Sequence, residues 1–326
     1  MEKTLVLSVD LGGTKILSAL IDEQGKILAR DYTPTPSTGN QDIVIQEILS
    51  SSKRVLDEAG IGIDNVAAVS IAAAGPSDVR TGILYTSPNL PGWKDVPLRD
   101  ILSKQFGKIV YLLNDARAAA LGELYFGAAK GLKNCIFVTI STGIGGGIII
   151  NGELYSGAAG TAGELGHMVI DDDGPLCNCG NRGCWEMLAS GTALAAAAKR
   201  SIKEGVESSI TEFTDGDVEK INAQAINKAA IAGDPLAQKL ISRTAYYLGV
   251  GLSNLINIFS PELIIIGGGL SNMGDRLLLP AYEEAKKRAF TQPYQSTRFT
   301  LATLGADSGV LGAAGYALKK LQSTAT

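Results

Sequence analysis

The chain contains one histidine and four cysteines, and three of the cysteines share a short window with the histidine: Glu164-Leu-Gly-His167, then Cys177-Asn-Cys179-Gly-Asn-Arg-Gly-Cys184-Trp-Glu186. One imidazole and three thiolates complete a tetrahedral shell for Zn2+, and a shell closed by four protein ligands belongs to a structural ion. His167, Cys177, Cys179 and Cys184 are therefore the expected ligands of a zinc that braces a loop. Glu164 and Glu186 bracket the cluster as carboxylates that the braced loop presents. With one ring nitrogen of His167 on the metal, the tautomer is fixed and the other nitrogen can face a hydroxyl. Cys135 stands far from this window in an apolar run and reads as a buried apolar residue.

Glycine gathers at strand ends, in Gly12-Gly13, in Gly143 with Gly145-Gly146-Gly147, and in Gly267-Gly268-Gly269. Such junctions let backbone N–H groups approach a ligand without interference from Cβ, and three of them, each after an apolar strand, point to phosphate binding. Neither a Walker A motif nor a dinucleotide fingerprint is present. In Asp10-Leu-Gly12-Gly13-Thr14-Lys15 an acid ends a strand just before a hairpin turn. The N–H groups and the Thr14 hydroxyl can reach phosphate oxygens, and Asp10 can organise hydrated Mg2+. Ser141-Thr142-Gly143-Ile-Gly145-Gly146-Gly147 offers the same geometry a second time. A further carboxylate, Asp115, follows the apolar Leu112-Leu113-Asn114 at a helix start. Its local sequence fits both a helix N-cap and an acid held near a positive dipole at the edge of a cleft.

These groups need a scaffold to hold them. The 326 residues, 45% hydrophobic and 19% charged, suffice for two packed domains. The longest apolar runs are too short to cross a bilayer, and Met1-Glu2-Lys3 leads into a strand without the features of a signal peptide. A cytoplasmic, reducing setting is expected, where clustered cysteines bind metal more often than they pair. A formal charge of −4 argues against a nucleic-acid surface.

Strands are expected at Thr4–Asp10, Lys15–Ile21 and Lys26–Thr33, then a helix from Gln41 to about Ala59 stopped by Gly60. A strand at Val66–Ala73, a helix from about Pro97 to Phe106, a strand at Ile109–Leu113 and a helix from Ala116 to about Phe126 complete a βββαβαβα unit. The pattern then partly restarts, with a strand at Asn134–Ile140, a turn at Ser141–Gly146, a strand at Gly147–Ile150 and the Asn151-Gly152 hairpin signal. Two copies of strand, glycine turn and strand imply a duplication with a cleft between the halves. Further helices are expected near Thr192–Glu204 and Asn222–Ala232, and from Asp234-Pro235 toward Phe259. The strand Glu262–Ile266 and an Ala/Gly-rich C-terminal helix, Ala306–Leu321, follow.

Together, Asp10-Leu-Gly-Gly-Thr-Lys15 and Ser141-Thr-Gly-Ile-Gly-Gly-Gly147 resemble the two phosphate segments of the actin-like ATPase superfamily. The Glu164 to Glu186 motif resembles the ROK family of bacterial sugar kinases, repressors and open reading frames, with similarity from about Val6 to Gly315 and most closely to its glucokinases. The resemblance implies an α/β, two-domain actin-like ATPase (ribonuclease H-like) fold with a duplicated core and an interdomain cleft. The expected domains are 1–116 with 305–326, and 117–304 carrying the zinc loop. It implies ATP and Mg2+, with Asp10, Gly12, Gly13, Thr14, Lys15, Thr142, Gly143, Gly145, Gly267 and Gly268 toward the nucleotide. Asp115 matches the family's catalytic base. Asn89, Asn114, Asp115, Glu164, His167 and Glu186 match its sugar contacts. A homodimer is implied, and phosphorylation of glucose at its 6-hydroxyl, with another hexose such as fructose, or an N-acetylhexosamine such as N-acetylmannosamine or N-acetylglucosamine, as the alternative. The family's sugar-sensing repressors carry an N-terminal winged-helix domain, for which Asp10 comes too early. Arg117 departs from the asparagine that many members carry there.

Overall fold

The computed structural model describes residues 3–37, 40–87, 90 and 92–324. In chain order the elements begin with β1 (Leu5–Leu11), β2 (Lys15–Asp22), β3 (Ile27–Pro34), α1 (Gln41–Ala59), β4 (Ala68–Ala73), β5 (Ser77–Asp78), β6 (Ile83–Thr86) and β7 (Lys94–Val96). Next come α2 (Leu98–Phe106), β8 (Val110–Asn114), α3 (Asp115–Tyr125), β9 (Cys135–Ile140), β10 (Ile144–Ile150) and β11 (Glu153–Leu154). The rest are α4 (Trp185–Ala189), α5 (Gly191–Lys203), α6 (Ala223–Ile231), α7 (Pro235–Phe259), β12 (Leu263–Gly267), α8 (Asp275–Arg288), α9 (Thr291–Ser296), β13 (Arg298–Leu301) and α10 (Ser308–Thr324). The chain divides into two compact units, one of residues 1–137, 147–163 and 302–326, the other of 138–146 and 164–301. Among the described residues no helix is long and apolar enough to cross a membrane.

The first unit is built on a sheet of order β3-β2-β1-β4-β8. Strands β1, β2 and β3 pair antiparallel, while β4 and β8 add in parallel. Residues along β1 are buried on both faces because helices cover both. Leu7, Val9 and Leu11 pack with Val44, Ile48 and Val55 of α1, whereas Val6 packs with Val310, Leu311 and Ala314 of α10. Between them Ser8 donates from Oγ to Val310 O at 2.7 Å. Helix α1 starts on Asn40, whose side chain accepts from Asp42 N, and stops at Gly60 with φ 65°, where an L-residue would be strained.

The Ala/Gly composition of α10 serves close packing on α3. A Cβ on Gly312 would lie 1.6 Å from Ala118 O, and one on Gly122 would lie 2.6 Å from Ser308 O. The buried carboxylate of Glu123 accepts from Ala128 N, Thr303 N, Thr303 Oγ1 and Leu304 N at 2.8–3.0 Å. It thereby pins the chain where it re-enters this unit.

In the second sheet the strand order is β11-β10-β9-β12-β13. Asn151 and Gly152, with φ 54° and 77°, make the hairpin turn between β10 and β11 that the sequence signals. The second unit is dominated by α7, capped by Asp234, which accepts from Ala237 N at 2.7 Å.

The structure departs from the expected pattern in three places. A small antiparallel sheet, β5-β6-β7, interrupts the first half, its strands too short for an apolar period to register. Helices α4, α8 and α9 and strand β13 were not anticipated. Strand β10 begins at Ile144, so Gly145, Gly146 and Gly147 lie inside a strand and the second turn shrinks to Ser141–Gly143. Gly147 is glycine for packing: a Cβ there would meet Ala120 Cβ at 2.4 Å.

Candidate active site and metal centre

In the first unit the site residues gather at the ends of β1 and β8. The turn after β1 is closed by Gly12 N donating to Lys15 O at 2.9 Å. It is pinned from the end of β3 by Thr35, whose Oγ1 donates to Gly12 O at 2.8 Å and whose N donates to Thr14 O at 3.1 Å. These bonds leave the Thr14 side chain exposed. Lys15 lies over the Tyr32 ring, 5.4 Å from its centroid.

At the end of β8, Asn114 is the cap of α3. Its Oδ1 accepts from Arg117 N at 3.1 Å, and its Nδ2 donates to Gly75 O at 3.1 Å and to Asp115 Oδ1 at 2.9 Å. Asp115 is thus the first helical residue and is not needed as the cap, although its Oδ1 also accepts from Ala116 N at 2.8 Å. Burial raises the Asp115 pKa above the carboxylate range, and the hydrogen bonds from Ala116 and Asn114 pull the other way. Burial pushes Asp10 to about 7, helped by the Asp115 charge and opposed by Lys15. Both carboxyls keep a solvent-reachable edge, yet the protein around them is dry enough to disfavour two charges side by side. The start of α10 closes over Asp10, where a Cβ on Gly309 would lie 2.9 Å from the carboxyl.

In the second unit, His167, Cys177, Cys179 and Cys184 converge, their ligand atoms all within 4.8 Å of one another. Nδ1 of His167 is 3.6 Å from Cys177 Sγ, and the Cys179 and Cys184 sulfurs are 3.5 Å apart. A tetrahedral zinc with bonds of about 2.0–2.3 Å separates its ligand atoms by roughly 3.5 Å, so the cluster fits this ion. The thiol chemistry agrees. Burial and crowding by Cys179 and Cys177 push Cys184 up to about 12, while the Asn181 N–H lowers Cys179 to about 7. A divalent cation at this point would bind the clustered sulfurs as thiolates. All four cysteines are free, and Cys135 is buried as an apolar residue.

The loop is folded by Cys177 N donating to Asn181 O at 2.7 Å, Gly183 N to Pro175 O at 2.9 Å and Ile170 N to Gly183 O at 2.9 Å. Trp185 anchors it on α7. The indole is fully buried, donates to Tyr247 O at 2.9 Å, and occupies the space a Cβ on Gly251 would need. Glu186, in the first turn of α4, accepts from Ile144 N with Oε2 at 3.0 Å. Glu164 is exposed at the other end of the loop.

The structure therefore assembles Asp10, Gly12, Gly13, Thr14, Lys15, Asn114 and Asp115 in the first unit. It assembles Thr142, Gly143, Glu164, Glu186 and the metal cluster in the second. Asn89 lies outside the described residues. Gly145 sits in β10, not in the turn. Gly267 ends β12, and Gly268, at φ 85°, is glycine because a Cβ would meet the Ile140 backbone at 2.4–2.7 Å. Sequence reading missed Gly166, Ile144 and Gly309, which matter as backbone neighbours; only Gly166 offered a signal, its place beside His167. Arg117 is buried, with Nη1 donating to Gly160 O and Nη2 to Ser156 Oγ, both at 2.8 Å. It ties residues 156–160 to α3.

A five-stranded sheet of this order, with an acid and glycine turn after its first strand and a second such turn later in the chain, defines the α/β actin-like ATPase fold. Residues 6–320 match the model of the ROK family, and the chain belongs to that family. It is 38% identical over 317 residues to a glucokinase of Thermotoga maritima, covering 96% of this chain and 97% of that one. A xylose repressor of Caldicellulosiruptor bescii is 31% identical over 94% of this chain but only 76% of the repressor. Among solved structures, a ROK family glucokinase from Streptomyces griseus in complex with glucose and AMPPNP superposes with a TM-score of 0.81 at 36% identity, covering 96% of this chain and 98% of that one.

Proposed function

We propose that this chain is an ATP-dependent hexose kinase that transfers the γ-phosphoryl group to the 6-hydroxyl of glucose. Asp115 takes the hydroxyl proton as the oxygen bonds to phosphorus and the bond to the ADP oxygen breaks. The observation that carries the reading is the release of Asp115 from capping: Asn114 caps α3, which leaves a carboxylate of raised pKa beside Asp10 and the first glycine turn. A base whose pKa is lifted toward the working pH accepts a proton more readily. Phosphoryl transfer otherwise asks for positioning and charge neutralisation. In this reading Gly12, Gly13, Thr14 and Lys15 with Thr142 and Gly143 hold the phosphates, and Asp10 orders hydrated Mg2+, which when bound offsets phosphate charge. Gly145, Gly267 and Gly268 support these turns. Asn89, Asn114, Glu164, His167 and Glu186 receive the sugar hydroxyls. Zinc on His167, Cys177, Cys179 and Cys184 supplies rigidity alone.

The kinases among the relatives, one solved with glucose and an ATP analogue, support this reading. The division at 1–116 with 305–326 against 117–304, the homodimer and the cytoplasmic location belong to the same proposal. A repressor-type sensor has no need of a carboxylate freed in this way. Asp115→Asn should lower kcat by about 10²–10⁴ with glucose affinity retained in calorimetry. Near-normal kcat in that variant would remove Asp115 from the role.

A further inference from the structure

The metal loop holds more than a sugar. Its two ends close on one residue, Ile144, which begins β10 directly after the second glycine turn. On one side Glu186 Oε2 accepts the Ile144 N–H at 3.0 Å. On the other Gly166 packs so tightly that a Cβ there would lie 2.1 Å from Ile144 O. The segment that follows holds the rest of the turn, with Gly191 N donating to Ser141 O at 2.8 Å and Thr192 N to Thr142 O at 3.3 Å. A Cβ on Gly143 would lie 2.1 Å from Glu186 Oε2, so a side chain there would displace the carboxylate. Every one of these residues belongs to the second unit.

We infer that Glu186 is a positioning residue for the nucleotide turn Ser141–Gly143 through its junction with β10 at Ile144, so that the segment bearing the hexose contacts also sets the shape of a phosphate-binding turn. Oε2 is committed to the turn, and a hexose hydroxyl donating to the same carboxylate draws on the group that fixes Ile144. Binding energies of the two ligands are then linked through one side chain, and linkage of this kind is reciprocal. The inference rests on the kinase reading in taking ATP as the ligand of the turn and a hexose hydroxyl as a partner of Glu186.

The experiment measures affinity for the magnesium complex of AMPPNP by calorimetry with no sugar present. Binding by the unaltered protein tests the kinase reading first and separately. Glu186→Ala should weaken sugar-free nucleotide binding about tenfold, because the N–H of Ile144 loses its acceptor and the turn loses its pin. Glu186→Gln keeps an amide oxygen for that N–H and should hold nucleotide affinity within about threefold, while glucose affinity falls in both variants as a charged acceptor is lost. Gly143→Ala, which displaces the carboxylate, should weaken glucose binding although residue 143 lies in the nucleotide turn. Unchanged nucleotide affinity in Glu186→Ala confines Glu186 to the sugar and overturns the inference. So does equal loss of nucleotide affinity in the Ala and Gln variants. Unchanged glucose affinity in Gly143→Ala overturns it by an independent route, available should the Glu186 variants fail to fold.

Discussion

Asp10 and Asp115 were legible as acids at strand ends, but their mutual influence was not. It arises because parallel pairing sets β1 beside β4 and β4 beside β8, bringing residues more than a hundred positions apart to one sheet edge. Gly309, which closes over Asp10, comes from the far end of the chain and has no local signature. The same crowding predicts a pH dependence. Asp10 has a folded pKa of about 7 against an ordinary 3.8, so the folded state keeps a proton that the unfolded state sheds. Its contribution to stability is fully present below about pH 4 and is lost as pH rises through 7. The ligand-free protein should therefore melt lower at pH 8 than at pH 5 on account of this group. Asp10→Asn, which removes the charge, should raise the pH 8 melting temperature by several degrees, for ~2–4 kcal/mol of relief. An Asp10→Asn variant no more stable than the parent at pH 8 would place the acid in a wetter setting than the structure gives it.

At the scale of elements, long periodic segments were read well. Helix α1 runs over the expected residues, and α7 starts on the Asp234-Pro235 signal. What sequence could not supply was the reason for many glycines. Gly122 and Gly312 let α3 and α10 touch, Gly147 admits α3 against β10, and Gly268 admits β12 against Ile140; all report backbone approach, invisible without a fold. The Cys/His loop was the opposite case, because His167, Cys177, Cys179 and Cys184 lie within one window and their clustering needs no tertiary information. Backbone hydrogen bonds and the buried Trp185 hold the loop, and a zinc on its four residues should add to that order. Metal analysis should find about one zinc per chain, and stripping it with a strong chelator should lower both the melting temperature and turnover. A metal-free protein with full stability and full activity would contradict the bracing role.

At the scale of the whole molecule, the restart of strand, glycine turn and strand indicated a duplicated α/β chain, and the family assignment over 315 of its 326 residues agrees. Substrate choice was much less legible, because in the proposed reading it depends on how hydroxyl partners are arranged around Glu164, Glu186 and Asn114, and such positions emerge only from packing. A site built to bond a particular hydroxyl rejects an analogue lacking it by about 10⁴–10⁵. A coupled assay across hexoses and N-acetylhexosamines should give the highest kcat/KM with glucose. A preference for N-acetylmannosamine or another sugar would move the specificity while leaving the phosphoryl chemistry in place.

The partnership of Ser8 with Val310, separated by 302 positions, bears on how the polypeptide is made. The first sheet emerges from the ribosome with one face bare, and its cover, α10, is translated only after β12 and β13. Residues 138–146 and 164–301 are complete before that helix exists, so the second unit can close while the first still waits for its final helix. A chain cut short just after Leu301 would lose the Glu123 clamp and α10 together, leaving Val6, Leu17, Ala19 and Ile21 open to water. A stop codon just after Leu301 should thus be as damaging as an early one, and nascent chains should need chaperone protection until α10 has been made.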